Sequence, residues 1–236
     1  MKKPQSIVVL TGAGISAESG IKTFRDANGL WKNHRVEQVA SPNGFATYPE
    51  LVHEFYNQRR RQLLSVEVKE NQAHKALARL EREFKGEFLL VTQNVDDLHE
   101  RAGSRSPIHM HGEILKKRCN RCEVITAVRT DLTTQDVCES CGQTGSLRPH
   151  IVWFGEMPME MERIQAALES CDCFISIGTS GHVYPAAGFV AVASRAGAST
   201  VSLNLEPSNN ESAFGRCEYG PATEIVPTFV ESFLKH

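Results

Sequence analysis

The sequence predicts an α/β fold: a doubly wound, mostly parallel sheet carrying a small inserted module held by a metal. Three observations lead there. Short apolar runs at 7–10, 87–92, 173–177 and 200–205 each end in glycines or small polar residues, as strands do when they are buried on both faces and meet ligands at their carboxyl ends. Amphipathic stripes lie between the runs, most plainly at 72–84, where Ala73, Ala76, Leu77, Leu80 and Phe84 share a helical face. Four cysteines form two C-x-x-C pairs in a polar stretch that could not bury a core of its own.

Composition narrows the class. The 236 residues suit one large domain, or one domain with a small insert. A hydrophobic content of 41% suffices for a core, and a formal net charge of −2 implies neither a nucleic-acid nor an anionic-membrane partner. Met1, Lys2 and Lys3 are followed by an apolar run of only about four residues, too short for a signal segment or a membrane span. A monomeric cytoplasmic protein is expected. Seven cysteines is an odd number, which with the paired spacing favours metal in a reducing compartment over a disulfide framework.

The first strand, Ile7 to Leu10, exits through Thr11-Gly12-Ala13-Gly14. Glycines there let the backbone turn and approach a ligand closely. Ser16, Ala17 and Glu18 can then open a helix whose free N–H groups face an anion. The bare spacing Gly12-x-Gly14-x-x-Ala17 equally fits any tight strand-to-helix turn. A dinucleotide fold should next show a strand ending in an acid about 20 residues on, and none follows. Instead Phe24, Arg25, Asp26, Gly29 and Trp31 stand without strand period, as in a loop folded over a ligand with Arg25 available to a phosphate. Trp31 reads as an anchor of that loop to the core, and Phe24 fits either role.

Ser41-Pro42-Asn43-Gly44 reads as a turn, and Pro49 as the first turn of a helix striped by Leu51, Val52, Phe55, Leu63 and Leu64. Tyr56 and Arg59 share a face of it. With Arg60 and Arg61 alongside, the residues alone favour a solvated face. In the 72–84 helix His74 reads as structural. The strand at 87–92 ends in Gln93-Asn94-Val95-Asp96-Asp97, where polar groups suit a ligand, or Asn94 or Asp96 caps a helix, or both. His109 and His111 follow in a strand and are expected to face opposite ways, so that only one reaches the site as a base.

Cys119-x-x-Cys122 and Cys138-x-x-Cys141 are separated by fifteen residues. They offer four thiolates to one tetrahedral Zn²⁺ with no open position, hence a structural ion. A redox role needs only one such pair. The insert is placed at 114–147, within a discontinuous main domain of 1–113 and 148–236. Cys171, Cys173 and Cys217 read as buried thiols. The stretch 147–156 is extended, apolar and Gly-ended, either a free edge for a peptide or an ordinary core strand. Residues 160–170 read as a helix. The strand at 173–177 ends in Gly178-Thr179-Ser180, hydroxyls that suit phosphate. A small-residue helix at 184–196 follows, then a strand ending in Asn204 and Glu206, groups that suit ribose hydroxyls. A last helix spans roughly 227–234.

Two segments carry a resemblance. G-A-G-I-S-A-E-S-G-I-K-T-F-R-D-A-N-G-L-W at 12–31 and T-Q-N-V-D-x-L-H-x-R-A-G at 92–103 resemble the signatures of the sirtuins, NAD-dependent protein lysine deacylases, and the likeness extends over nearly the full length. It implies a Rossmann-like sheet, NAD as co-substrate, one structural Zn²⁺ and acyl-lysine proteins or peptides as substrates. It implies NAD contacts at Gly12, Ala13, Gly14, Ser16, Ala17, Phe24, Arg25 and Trp31, and at Gln93, Asn94, Val95 and Asp96, with Asn94 also holding a water and Asp96 the carboxamide. Further NAD contacts are implied at Gly178, Thr179, Ser180, Asn204, Leu205, Glu206 and Ala222. The catalytic histidine of the family directly precedes a glycine, which selects His111 and leaves His109 structural. V-x-F-G-E clamps the peptide, so Val152 and Phe154 would line the lysine tunnel beside Gly155 and Glu156. Tyr56 and Arg59 match the Y-x-x-R of the subgroup that accepts succinyl- or malonyl-lysine, and Ala46 the small residue that widens that pocket. The implied products are nicotinamide, O-acyl-ADP-ribose and free lysine. The alternatives are a mono-ADP-ribosyltransferase on the same NAD site and a non-catalytic NAD-binding zinc module.

Overall fold

Ile7 and Val9 lie on one side of the first strand, Val8 and Leu10 on the other, and the chain covers both sides. The computed structural model describes residues 4–21, 30–31 and 34–235, with backbone alone at 30, 31 and 34. The strands are β1 Ser6–Thr11, β2 Leu30–Trp31, β3 His34–Arg35, β4 Glu87–Thr92, β5 Ile108–His109, β6 Gly112–Cys119, β7 Ile125–Ala127, β8 Leu147–Ile151, β9 Cys173–Ile177, β10 Ser199–Asn204 and β11 Arg216–Tyr219. The helices are α1 Val36–Val39, α2 Pro42–Thr47, α3 Pro49–Leu63, α4 Gln72–Glu83, α5 Leu98–Arg101, α6 Met161–Ser170, α7 Phe189–Arg195 and α8 Ala222–Lys235.

Six strands form a parallel sheet in the order β11-β10-β9-β1-β4-β5. Ile7, Val9 and Ile175 pack under Leu77 and Leu80 of α4 and Val226 and Phe229 of α8. Val8, Leu10 and Phe174 pack under Ile164 and Leu168 of α6 and Phe189 and Val190 of α7. This two-sided burial is what the continuous apolar runs require. A third cluster joins Val52, Phe55 and Tyr56 of α3 to Ile114, Ile151 and Trp153. There the antiparallel sheet β7-β6-β8 begins, pairing Gly112 with Ile151 and Cys119 with Leu147.

From β1 the chain winds outward through β4 and β5, then returns to β1's other side and winds away through β9, β10 and β11. The strand order therefore switches between β1 and β9, where ligand crevices open at carboxyl ends. Gly12 N–H donates to Ile177 O at 2.9 Å and Gly14 N–H to Gly178 O at 2.9 Å. A Cβ on Gly14 would lie 2.6 Å from Gly178 Cα, and one on Gly178, whose φ is +64°, would lie 2.5 Å from Ile15 N. Both positions need glycine because two backbones touch.

Several expected elements change form. The helix after Gly14 is a 3₁₀ turn over Ala13–Ser19, and Gly14 N–H is committed to Gly178 rather than free for an anion. Ser41 caps α2 by accepting Gly44 N–H at 2.9 Å, so this segment is a helix start and not a turn. The small-residue helix shortens to α7 behind a 3₁₀ turn. The last helix starts at Ala222 and runs through Pro227. β11 carries mostly polar residues at the sheet edge, too little apolar signal to read as a strand.

Gly14→Ala is expected to lower stability by about 1–3 kcal/mol, the usual cost of forcing atoms into a packed contact. Urea unfolding checks this, and an unchanged midpoint would mean that the two strand ends part without strain.

Candidate functional site

The polar residues after β4 fold back onto the 3₁₀ turn after β1. Asn94 Nδ2 donates to Gly12 O at 3.1 Å and to Ser16 Oγ at 3.2 Å. Ser16 Oγ donates to Asp96 Oδ2 at 3.1 Å, and Asp96 Oδ1 accepts Leu98 N–H at 3.1 Å. Asp96 thus takes the first amide of α5, one residue before the N-cap Asp97, and braces the site at once. Ser16, Asn94 and Asp96 are all buried. Burial pushes the Asp96 carboxyl up to about 6, against the pull of its two hydrogen bonds. A buried acid with so few partners suits a polar ligand group beside it.

Two histidines stand behind this node. His74 Nε2 lies 3.4 Å from Ser16 Oγ, and His99 Nε2 lies 2.9 Å from Thr11 Oγ1. Their rings meet edge-on at 5.0 Å. Burial lowers both pKa values, to about 4 for His74 and well below the ordinary value for His99. Neither was singled out for the site from sequence. The Asn71–His74 capping box, now seen at α4, was the readable signal.

His111 sits in the turn after β5. Its Nδ1 is 3.2 Å from Gln93 O, and its own carbonyl accepts Val152 N–H at 2.9 Å. Burial depresses its pKa, opposed by the Gln93 carbonyl. His109 has Nδ1 3.2 Å from Asn94 O and Nε2 2.7 Å from Glu100 Oε1. Residues two apart in an unbroken strand share a face, so the expected opposition of these histidines had no basis in strand period. They separate because β5 ends at His109 and a turn follows.

On the far side of the switch, Thr179 Oγ1 pairs with Ser176 Oγ at 2.8 Å and both are buried. Ser180 receives His182 and Asn209 through its backbone carbonyl. Asn204 Nδ2 donates to Ser202 Oγ at 3.1 Å, and its carbonyl accepts Gly220 N–H at 3.0 Å. That bond brings the end of β10 to the start of α8, where Ala222 lies beside Thr223, whose amide and hydroxyl both donate to Glu18. Leu205 and Glu206 are exposed at the rim. Ala13, Ala17, Gln93 and Val95 lie on the two segments that meet at Ser16 and Asn94. Phe24 and Arg25 lie outside the described residues, as does the side chain of Trp31.

Tyr56 corrects the solvated-face reading of α3. It is buried, and its hydroxyl accepts the Trp153 indole N–H at 2.9 Å. Burial drives its pKa up and brings that of half-buried Arg59 down to about 10. Arg59 stacks 3.2 Å over Phe55 and donates to the Phe55 carbonyl at 2.7 Å. Ala46 is not brought to this pair. It is exposed on α2, lining an open cleft of about 570 Å³ with Phe45, Pro49, Arg148 and Trp153. The small residue in the Tyr56 cluster is Ala40, whose carbonyl accepts Phe154 N–H at 2.9 Å. A six-residue slip along the sequence separates the two alanines.

The extended stretch ends as a strand at Ile151, and 154–155 is a turn with Gly155 at φ +92°. Phe154 is half exposed there. Arg148 grips both Glu156 oxygens at 2.8 Å, and Trp153 N–H donates to Glu156 at 2.8 Å, so its side chain braces the Val152–Phe154 turn.

The four cysteine sulfurs of the insert lie within 4.8 Å of one another, with Cys119–Cys141 at 3.8 Å and Cys122–Cys138 at 3.7 Å. Zn–S arms of about 2.3 Å in a tetrahedron place sulfurs about 3.8 Å apart, whereas a disulfide needs about 2.05 Å. The donor set fits one structural Zn²⁺. Cys171 and Cys173 are buried, and Cys217 is half-buried.

Comparison with known proteins agrees with this geometry. Residues 12–185 match the Sir2 family. The chain is 60% identical over 234 residues to the NAD-dependent protein deacylase of Pasteurella multocida (strain Pm70), covering 99% of this chain and 100% of that one. Among solved structures, a Sir2 homolog–NAD complex superposes with a TM-score of 0.89 at 38% identity, covering 99% of this chain and 91% of that one. A Sir2 complex with a deacetylated p53 peptide and 3′-O-acetyl ADP-ribose superposes at 0.84 with 30% identity, covering 98% and 94%.

Cys138→Ala is expected to release the ion and disorder the insert, because three thiolates close a structural site poorly. Metal analysis of the parent should give one zinc per chain. Zinc-free parent protein would sink the assignment.

Proposed function

The chain belongs to the Sir2 family, and from that premise we propose the roles of its residues in NAD-dependent removal of acyl groups from protein lysines. The enzyme is an NAD-dependent protein deacylase. The observation that carries the residue roles is the node of Gly12, Ser16, Asn94 and Asp96 at the strand switch, with His111 one carbonyl away. When bound, NAD supplies an electrophilic ribose carbon whose leaving group is nicotinamide.

The glycine contact between β1 and β9 leaves room for the dinucleotide, with Thr179 and Ser180 toward its phosphates and Asn204 and Glu206 toward the far ribose. Phe24, Arg25 and Trp31 are assigned to the covering loop by resemblance alone. Asp96 takes the carboxamide, and its raised pKa lets the carboxyl donate or accept there near neutrality. Asn94, fixed at both ends, orients the ribose. His111 gives Nδ1–H to Gln93 and so keeps the Nε2 lone pair for a proton. Burial holds the ring neutral at physiological pH, the state a general base needs. The Val152–Phe154 turn, tied to His111 and Ala40, takes the acyl-lysine peptide.

For the acyl group we infer succinyl or malonyl besides acetyl. Arg59 is a half-buried cation one helical turn from the Tyr56 hydroxyl, and Ala40 leaves space beside Tyr56. A carboxylate meeting that pair gains a charge-assisted bond of about 1.5–3 kcal/mol, or about 10- to 100-fold in relative kcat/KM.

His111→Ala should leave NAD binding measurable and slow deacylation by about 10²-fold or more. Near-parental turnover would move the base elsewhere. Arg59→Met should cut desuccinylation by about 10- to 100-fold and spare deacetylation, as scored on one peptide carrying either acyl group. Equal losses on both would reduce Arg59 to a support of the fold.

A further inference from the structure

His109 and His111 dock on consecutive carbonyls, yet their second ring nitrogens meet different surroundings. His109 is buried, between the Asn94 carbonyl at Nδ1 and the Glu100 carboxylate at Nε2. A carbonyl oxygen can only accept, so Nδ1 carries a hydrogen. An ionised carboxylate can only accept too, so Nε2 carries another. The ring is then an imidazolium, and 2.7 Å is a charge-assisted length. His111 donates from Nδ1 in the same way, but among the described residues its Nε2 has no hydrogen-bond partner.

We infer that His109 and Glu100 form a positioning pair for the reaction: an imidazolium that clamps the Asn94 backbone beside Asp96, and whose deprotonation at high pH loosens the site. Asn94 is the link. Its carbonyl takes the His109 proton while its side chain holds Gly12 and Ser16, so a shift of this one peptide moves the whole node.

The groups facing His109 come from three elements. Glu100 and His99 lie on α5, Asp96 and the Asn94 carbonyl on the loop after β4, and Glu113 on β6. Burial alone would lower the His109 pKa. The hydrogen bond and charge of Glu100, with Glu113 and the Asn94 carbonyl, outweigh it and raise the pKa. His99 opposes the cation, but burial keeps His99 itself neutral. The charge of His109 in turn favours the ionised form of Asp96. The signs give two limbs. His111 works only when neutral and its pKa is lowered, so its loss lies on the acid side. His109 works only when protonated and its pKa is raised, so its loss lies on the alkaline side.

The test follows kcat and the KM for NAD against pH in the parent, Glu100→Gln and His109→Asn, alongside an NMR titration of the histidine rings. Glutamine keeps an acceptor and removes the charge. Asparagine keeps a donor near the Nδ1 position and removes the titration. In Glu100→Gln the alkaline limb should move to lower pH with the acid limb in place. In His109→Asn the alkaline limb should vanish, with kcat about 10- to 100-fold lower at neutral pH. A merely structural pair would lower kcat alike at every pH. The activity arm rests on the deacylase reading. The ring titration does not: His109 should titrate at lower pH in Glu100→Gln even if no acyl-lysine peptide were turned over. An alkaline limb unmoved in both variants, or a His109 titration identical in parent and Glu100→Gln, would overturn the pairing.

Discussion

The contact between Gly12–Gly14 and Ile177–Gly178 is the constraint on which the site depends. Two strands that wind in opposite directions meet there with backbone against backbone. Any side chain would hold them apart, and the polar groups at their ends would no longer converge. Parallel sheets place such groups at carboxyl ends in general, but convergence within hydrogen-bond reach needs this approach. Ser16 comes from one side of the contact and Thr179 from the other, while Asn94 reaches in from β4 to the carbonyl of Gly12 itself.

Burial then sorts the charges. Asp96, His74, His99 and His111 all shift toward their neutral forms because the node is nearly dry. His109 shifts the other way because a carboxylate outweighs its desolvation. The buried His109 cation thus lies near Asp96, whose ionised form it favours, and among histidines that burial keeps neutral.

Much of the fold was legible in the sequence, for identifiable reasons. The runs at 7–10 and 88–91 are wholly apolar and 173–177 is broken only by a small Ser176, so both faces had to be covered. The cysteine spacing carried the metal site without any fold. The failures share a different cause. Tyr56 and Arg60 read as solvated because three arginines in a row look like surface, whereas tertiary packing buries Arg60 against the carbonyls of Ile114 and Thr130. Ala46 was matched by resemblance and Ala40 was not considered, because linear spacing says little across a helix start that capping by Ser41 reorients. The ion pair of Glu156 was not legible because a motif names residues without saying which way they face. Arg148, which turns it inward, lies on the preceding strand. His74 and His99 were passed over because a histidine on a helix gives no sign of where its second nitrogen goes.

α3 joins the four-cysteine insert to Tyr56 and Arg59, the pair proposed to meet the acyl group. Tyr56 and Arg59 occupy one part of its surface. One step around the helix, Asn57 gives its amide to Leu132 O at 2.8 Å and takes Leu132 N–H at 2.9 Å. Arg60 adds its bonds to Ile114 and Thr130, and Arg61 pairs with Asp131. The segment these residues hold leads directly into Cys138. If the thiolates lost their ion and 130–138 came free, buried Asn57 would lose both its bonds to Leu132 and Arg60 its bond to Thr130, though not the one to Ile114, at about 1–3 kcal/mol for each orphaned group. The helix would have to move to re-solvate them, and Tyr56 with its bond to Trp153 would move with it. The four-cysteine site and α3 are thus coupled: through Asn57 and Arg60 the insert braces the helix that carries Tyr56 and Arg59.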